Sequence, residues 1–115
     1  MILSKDQILG AEDFKTEAVD VPEWGGEVIV KTMSGFSRDQ FEGSIVGKNG
    51  GTNLANIRAK MVAAVLVDES GELLFNEKDV VALGKKSAKA LDRVFSVAQR
   101  LNGFSEADVE ELAKN

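Results

Sequence analysis

The chain has 115 residues, a net charge of -5 at pH 7 and neither cysteine nor histidine. Its length fits one domain spanning residues 1–115, and its 43% hydrophobic content is sufficient for a buried core. The missing residue types exclude disulfides, thiolate metal sites and the commonest general base. The acidic balance disfavours nucleic acid, whose phosphates attract clustered lysine and arginine.

The longest apolar run, Met61 to Val67, is far shorter than the roughly 20 residues that a membrane-spanning helix requires. Residues 1–6 lack the basic start and the long apolar segment of a secretory signal. We therefore expect a folded cytosolic protein with no membrane or nucleic-acid partner, no metal site and no cofactor.

Helix starts are marked by a hydroxyl side chain placed three residues before an acid or amide, the spacing of a capping box. Ser4–Gln7, Ser37–Gln40 and Ser105–Asp108 have this spacing, and Asn76–Asp79 is a weaker version. Each of these segments predicts the beginning of a helix.

A β-hairpin is predicted over residues 18–33. Pro22 and Trp24, the only proline and tryptophan of the chain, precede two glycines that can adopt the backbone angles of a tight turn. The strands should pair Val19–Val21 with Val28–Val30. Trp24 has two interpretations, as a ring packed over the turn or as the anchor of a protein interface.

The glycine-rich segment 47–53 predicts a flexible loop and possible hinge. It resembles phosphate-binding loops in preceding a helix, but the G-x-x-x-x-G-K-[ST] pattern is missing, which favours a plain connector. A helix should begin near Asn53, because apolar residues follow at three- and four-residue intervals at Leu54, Ile57, Met61 and Val65.

Asp68–Phe75 predicts a turn followed by a short extended segment. Its acids surround a glycine, as in a calcium loop, but Gly71 occupies the fourth position instead of the sixth, and Asp79 stands where the loop needs glutamate. A solvated turn is favoured over a calcium site.

The longest helix is predicted from Glu77 to Leu101 and should end at Asn102-Gly103. A short helix from Glu106 to about Ala113 follows. The helical C-terminal half, 54–115, and the hairpin together predict a mainly α, small α+β domain. Its apolar helix faces should form the core through Met61, Val65, Leu91 and Phe95.

Large aromatic side chains are the commonest anchors of protein interfaces. The candidate protein-interaction residues are Trp24, Phe36, Phe41 and Phe104. Acid pairs such as Asp39 with Glu42, or Glu110 with Glu111, lie in helical turns expected to be exposed. No catalytic residue is therefore predicted, and we do not expect an enzyme.

Three stretches, in this order, resemble the tail assembly chaperones of bacteriophages with long, non-contractile tails, the siphoviruses. The first is Val21–Val28 leading into Met33–Gly35, the second is Val67–Phe75, and the third is Leu83–Leu91 with the trailing Arg100–Gly103. Together they span most of the chain.

The resemblance implies a non-enzymatic chaperone that coats the tape measure protein, a long helical protein, and keeps it soluble until tail tube subunits polymerise around it. It also implies self-association, action in the host cell cytoplasm and absence from the mature virion. Members of the family commonly have a longer form made by ribosomal frameshifting, which would recruit the tail tube protein. Ala113-Lys114-Asn115 can be encoded by GCA-AAA-AAC, which contains the slippery heptamer A-AAA-AAC.

Two other classes of function remain open at this point. A small acidic regulator or nucleic-acid mimic would bind a basic partner. An enzyme would require an unrecognised carboxylate site among the 19 acidic residues.

Overall fold

The hairpin is the first part of a three-stranded antiparallel sheet in the computed structural model, which describes residues 1–46 and 55–103. β1 (Thr16–Val21) and β2 (Gly26–Lys31) are joined by a 3-10 turn over Pro22–Trp24, and Gly25 takes a φ of 77°. Val19 pairs with Val28 and Val21 with Gly26, which confirms the predicted hairpin.

The third strand, β3 (Leu66–Val67), pairs with the other edge of β2, so the order is β1-β2-β3. The described chain also contains the helices α1 (Lys5–Gly10), α2 (Gly35–Ser44), α3 (Ile57–Val65), α4 (Val80–Gly84) and α5 (Ala88–Leu101). The described residues therefore confirm the prediction of a mainly helical, small α+β fold.

The core is built around α3, which runs directly into β3. Its sequence, IRAKMVAAV, is apolar on nearly every side, and a helix of this kind must be enclosed by other elements. α2, α4 and α5 all pack against it. The α3 residues buried there are Ala59, Met61, Val62, Ala63 and Val65.

α5 carries a single apolar stripe, as its sequence predicts. Ala90, Leu91, Val94 and Ala98 are buried, while Phe95 is half-buried against the same core. The stripe packs on α3 and on both strands of the hairpin. Asn102 caps its end and Gly103 follows with a φ of 75°, as predicted.

The prediction of a single long helix from Glu77 to Leu101 is wrong. Glu77–Asp79 is a 3-10 turn, α4 ends at Gly84, and α5 restarts behind Ser87, whose hydroxyl accepts a hydrogen bond from the Ala90 amide at 3.3 Å. Gly84 lies against Asn56, so α4 turns onto the start of α3 instead of continuing.

The predicted helix starts vary in accuracy. Ser4 forms the expected capping box with Gln7, whereas α2 begins one turn before the prediction because Ser34, not Ser37, is its cap. Asn76–Asp79 forms a capping box on a 3-10 turn. The loop 47–53 and the helix predicted from Glu106 lie outside the described residues.

Leu91 provides a direct test of the core. Its side chain is 4% exposed, so Leu91→Ala should lower the free energy of unfolding by about 2–5 kcal/mol through lost burial and a residual cavity. Urea unfolding measures this change. Ser96→Ala, an exposed site on the same helix, is the control and should stay within about 0.5 kcal/mol of the parent. An equally small loss for Leu91→Ala would contradict the assigned core.

The contact between α4 and α3 leads to a second prediction, on the stability of two glycine-to-alanine variants. A Cβ at Gly84 would collide with Asn56 Oδ1, whereas one at Gly43 in α2 meets nothing within 4 Å. Gly43→Ala should therefore stabilise by about 0.5 kcal/mol, and Gly84→Ala should destabilise by about 1 kcal/mol. Thermal or urea unfolding measures whether each variant is more or less stable than the parent.

Asn56 has a φ of 58°, which glycine adopts without strain. Asn56→Gly should therefore rescue Gly84→Ala, because it removes the colliding amide. If Gly84→Ala alone stabilised as much as Gly43→Ala, the close contact would not explain the helix break.

Candidate functional site

An open groove lies between α2, α3 and α4 and is also lined by the segment that follows β3. Its volume is about 620 Å³. We call it the α2–α4 groove. Its apolar lining is formed by Phe41, Ala63, Ala64, Leu73, Phe75, Val80 and Val81.

The floor of the groove belongs to the core, and its mouth does not. Phe41 and Ala63 are buried, whereas Leu73 and Val81 are exposed large apolar side chains, Val81 by 61%. Apolar side chains at the mouth of an apolar groove are typical of a surface that receives a partner.

One polar contact joins two of the helices that line the groove. Lys60 Nζ donates a hydrogen bond of 2.9 Å to the carbonyl oxygen of Ser44, at the C-terminus of α2. A cation at this end of a helix satisfies a free carbonyl and complements the helix dipole. The lysine thus ties α2 to α3 beside the apolar lining.

A tight turn positions Leu73 at the groove. One carboxylate oxygen of Asp68 accepts hydrogen bonds from the Ser70 hydroxyl at 2.6 Å, the Ser70 amide at 2.8 Å and the Glu72 amide at 3.1 Å. The Ser70 hydroxyl is the main reason that the pKa of Asp68 lies below its ordinary value. The Asp68 carboxylate thus organises a solvated turn, and Val67 then bridges to Leu73.

Among residues 1–46 and 55–103, no group of three or more acidic residues is placed to hold a metal ion. Within the same ranges, no helix has the length and apolar character to cross a membrane.

The candidate aromatic residues do not form one cluster. Phe41 lies on the groove floor and is 4% exposed, whereas Phe36, on the first turn of α2, is 72% exposed and is not among the groove residues. Trp24 is half-buried against the core, on the hairpin turn that packs on α5. Phe104 lies outside the described residues.

The sequence did not lead to the prediction of the exposed apolar residues at the mouth of the groove. Leu73 and Leu74 are neighbours in an extended segment, and Val80 and Val81 are neighbours on a helix, so the members of each pair point in different directions. Two adjacent large apolar residues in a strand or helix can rarely both be buried in the same core. Such pairs were therefore the sequence signal for an exposed apolar surface.

An ion pair fixes the turn that carries Trp24. Arg93 Nε lies 2.8 Å and 3.1 Å from the two carboxylate oxygens of Glu23. The hydrogen bond from Arg93 is the main reason that the pKa of Glu23 lies below its ordinary 4.5. The pair connects the hairpin turn to α5.

The lowered pKa of Glu23 predicts a pH dependence. A carboxyl with a lower pKa in the folded state stabilises the fold above its unfolded pKa, and this contribution disappears as pH falls through the folded value. The free energy of unfolding of the parent should therefore fall more steeply than that of Glu23→Gln between about pH 5 and pH 3.

Urea midpoints measured across this range test the prediction. Glu69→Gln, at an exposed position, is the matched control and should follow the parent. Parallel curves for the parent and Glu23→Gln would show that the ion pair contributes no acid-sensitive stability.

The family model described as phage tail assembly chaperone matches residues 5–115. The chain belongs to this family. Its structure is similar to the tail assembly chaperone of bacteriophage HK97, with a TM-score of 0.62 over 88% of this chain and 95% of that chain. At 19% sequence identity, that similarity supports the fold. No curated protein matches the chain.

Proposed function

We propose that this tail assembly chaperone is non-enzymatic and that it binds and solubilises the tape measure protein during tail morphogenesis. The observation that supports the proposal is the α2–α4 groove, which has an apolar floor and an exposed apolar mouth. Grooves between helices accept the apolar face of an amphipathic helix, whose anchors recur at three- and four-residue intervals.

The physical role of the groove is to remove apolar client surface from water. Burial of apolar surface drives such association without directional contacts, so many stretches of one long helical client can bind the same groove. The net charge of -5 favours solubility of the complex.

Ionic interactions contribute less to this proposal. Four acids of the described chain form ion pairs with its own arginines: Glu42 with Arg38, Asp92 with Arg58, Glu23 with Arg93 and Glu17 with Arg100. Each pair cancels one acid against one arginine and leaves the net charge at -5. The alternative, an acidic regulator or nucleic-acid mimic, has less support than an apolar client because the groove lining is largely apolar.

The proposal includes the remaining expectations for the family. The protein acts in the host cell cytoplasm, associates with copies of itself on its client and is absent from the mature virion. A longer frameshifted form recruits the tail tube protein. Residues 113–115, whose codons would carry the slip, lie outside the described residues.

Co-expression with the tape measure protein tests the function. Val81→Glu should return the soluble client to the level seen without the chaperone, because a charge at the mouth must be desolvated when an apolar helix docks. Ala82→Glu adds the same charge at the next position, which is exposed and is not among the groove residues. This control should solubilise the client as well as the parent does.

Salt distinguishes the two partner classes. Binding driven by apolar burial should change little between about 0.1 M and 1 M salt, where exposed charges are screened. A steep loss of client binding over this range would favour the acidic-mimic alternative. A client that is equally soluble without the chaperone would contradict the chaperone function itself.

A further inference from the structure

Asn102 joins the end of α5 to α2 and to the segment that connects β2 with α2. Its side-chain oxygen, Oδ1, accepts a hydrogen bond of 2.6 Å from the Met33 amide. Its side-chain nitrogen, Nδ2, donates at 2.9 Å to the carbonyl oxygen of Ala98 in α5. Its backbone carbonyl oxygen accepts at 3.2 Å from Arg38 in α2. We call these three contacts the Asn102 clasp.

The residue after Asn102 is Gly103, and a following glycine favours deamidation of asparagine because it has no side chain to hinder the reaction. The backbone nitrogen of the glycine attacks the side-chain carbonyl carbon of the asparagine, Cγ, and closes a succinimide ring. The proton of that nitrogen and the side-chain amino group leave together as ammonia. Water then opens the ring at either carbonyl and gives aspartate or isoaspartate.

The folded backbone holds the two reacting atoms of this site apart. Asn102 has a ψ of 3°, so the Gly103 nitrogen eclipses the Asn102 nitrogen about the Cα–C bond, whereas ring closure requires it to eclipse Cβ. The Gly103 amide also donates to the carbonyl oxygen of Arg100 at 3.3 Å. The ring can therefore close only after the end of α5 unwinds and the Asn102 side chain leaves the Met33 amide.

The product of the reaction fits the clasp poorly. An aspartate at position 102 can accept from the Met33 amide through one oxygen, but its other oxygen then replaces Nδ2 beside the Ala98 carbonyl oxygen. Neither oxygen is a donor, and a negative charge at the C-terminus of a helix opposes the helix dipole. Isoaspartate instead adds a carbon to the main chain at the end of α5. Both products therefore lose contacts of the clasp.

We propose that Asn102 is a modification site controlled by the clasp: it is deamidated only when the end of α5 opens, and the product does not re-form the clasp. Each opening then carries a chance of a permanent change, and the modified fraction records how long the end of α5 has been open. Neither Asn102 nor Met33 is among the residues of the α2–α4 groove, so the inference is independent of the proposed function.

Peptide mapping of the full chain measures the modification. Trypsin cleaves after Arg100 and Lys114, and the resulting peptide has Asn102 as its only asparagine and contains no glutamine. The chain is incubated folded in buffer and unfolded in guanidinium chloride, at the same mildly alkaline pH, and the aspartate and isoaspartate peptides are quantified by mass spectrometry. Deamidation should be at least about tenfold slower in the folded chain, because it requires local opening. Equal rates would overturn the proposal.

Two variants separate the clasp from the ion pair beside it. Arg38 Nε also lies 3.2 Å from a carboxylate oxygen of Glu42. Arg38→Gln removes both contacts and should accelerate deamidation of the folded chain about three- to tenfold, since one hydrogen bond fewer holds the end of α5 closed. Glu42→Gln removes the ion pair alone and should react like the parent. Equal acceleration in both variants, or none in Arg38→Gln, would contradict control by the clasp.

Asn102→Asp tests whether the product re-forms the clasp. Hydrogen exchange of the Met33 amide should be about tenfold faster than in the parent, because the carboxylate opposes the Ala98 carbonyl. Gln99→Glu makes the same amide-to-acid change in the last turn of α5, outside the clasp, and should exchange like the parent. Parent-like exchange in Asn102→Asp, or equal acceleration in both variants, would overturn the permanent change.

Discussion

The enclosure of α3 is the constraint on which the other elements depend. A helix that is apolar on nearly every side has no stable position at the surface, so α2, α4 and α5 must all lie against it. Its last residue, Val65, is followed directly by β3, which pairs with the hairpin. The same buried segment therefore positions the helices and joins them to the sheet. The groove exists because α2 and α4 contact α3 on its two flanks without closing over it.

The parts of the fold that were predicted correctly depend on local chemistry. The turn at Gly25, the capping box at Ser4 and the stop at Asn102-Gly103 are each determined by a few neighbouring residues. The break after Gly84 was missed although Ser87 caps α5 locally, and the close approach of Gly84 to Asn56, far away in sequence, cannot be read from the sequence. Without knowledge of that contact, the apolar spacing across residues 77–101 is also compatible with one continuous helix.

The candidate site was less predictable for the same reason. Phe41 was selected as an aromatic residue, and the structure places it on the groove floor, but Leu73 and Val81 were not selected. A groove depends on the relative positions of elements that are separate in sequence, whereas periodicity describes one element at a time. The exposed Phe36 and the half-buried Trp24 lie outside this groove, and their roles in binding remain predictions.

The two walls of the groove differ in how they are held. α3 is packed by α2, α4 and α5 and buries five of its residues. α4, in contrast, is a helix of five residues between a 3-10 turn and the non-helical segment 85–87, and Gly84 at its end lies close to Asn56. Short elements with few buried contacts move at lower free-energy cost than core helices. A change in the width of the groove through α4 would therefore cost less than a change in the core. An adjustable wall favours breadth over selectivity, so under the proposed function a client sequence could diverge, or vary along its own length, and still be bound.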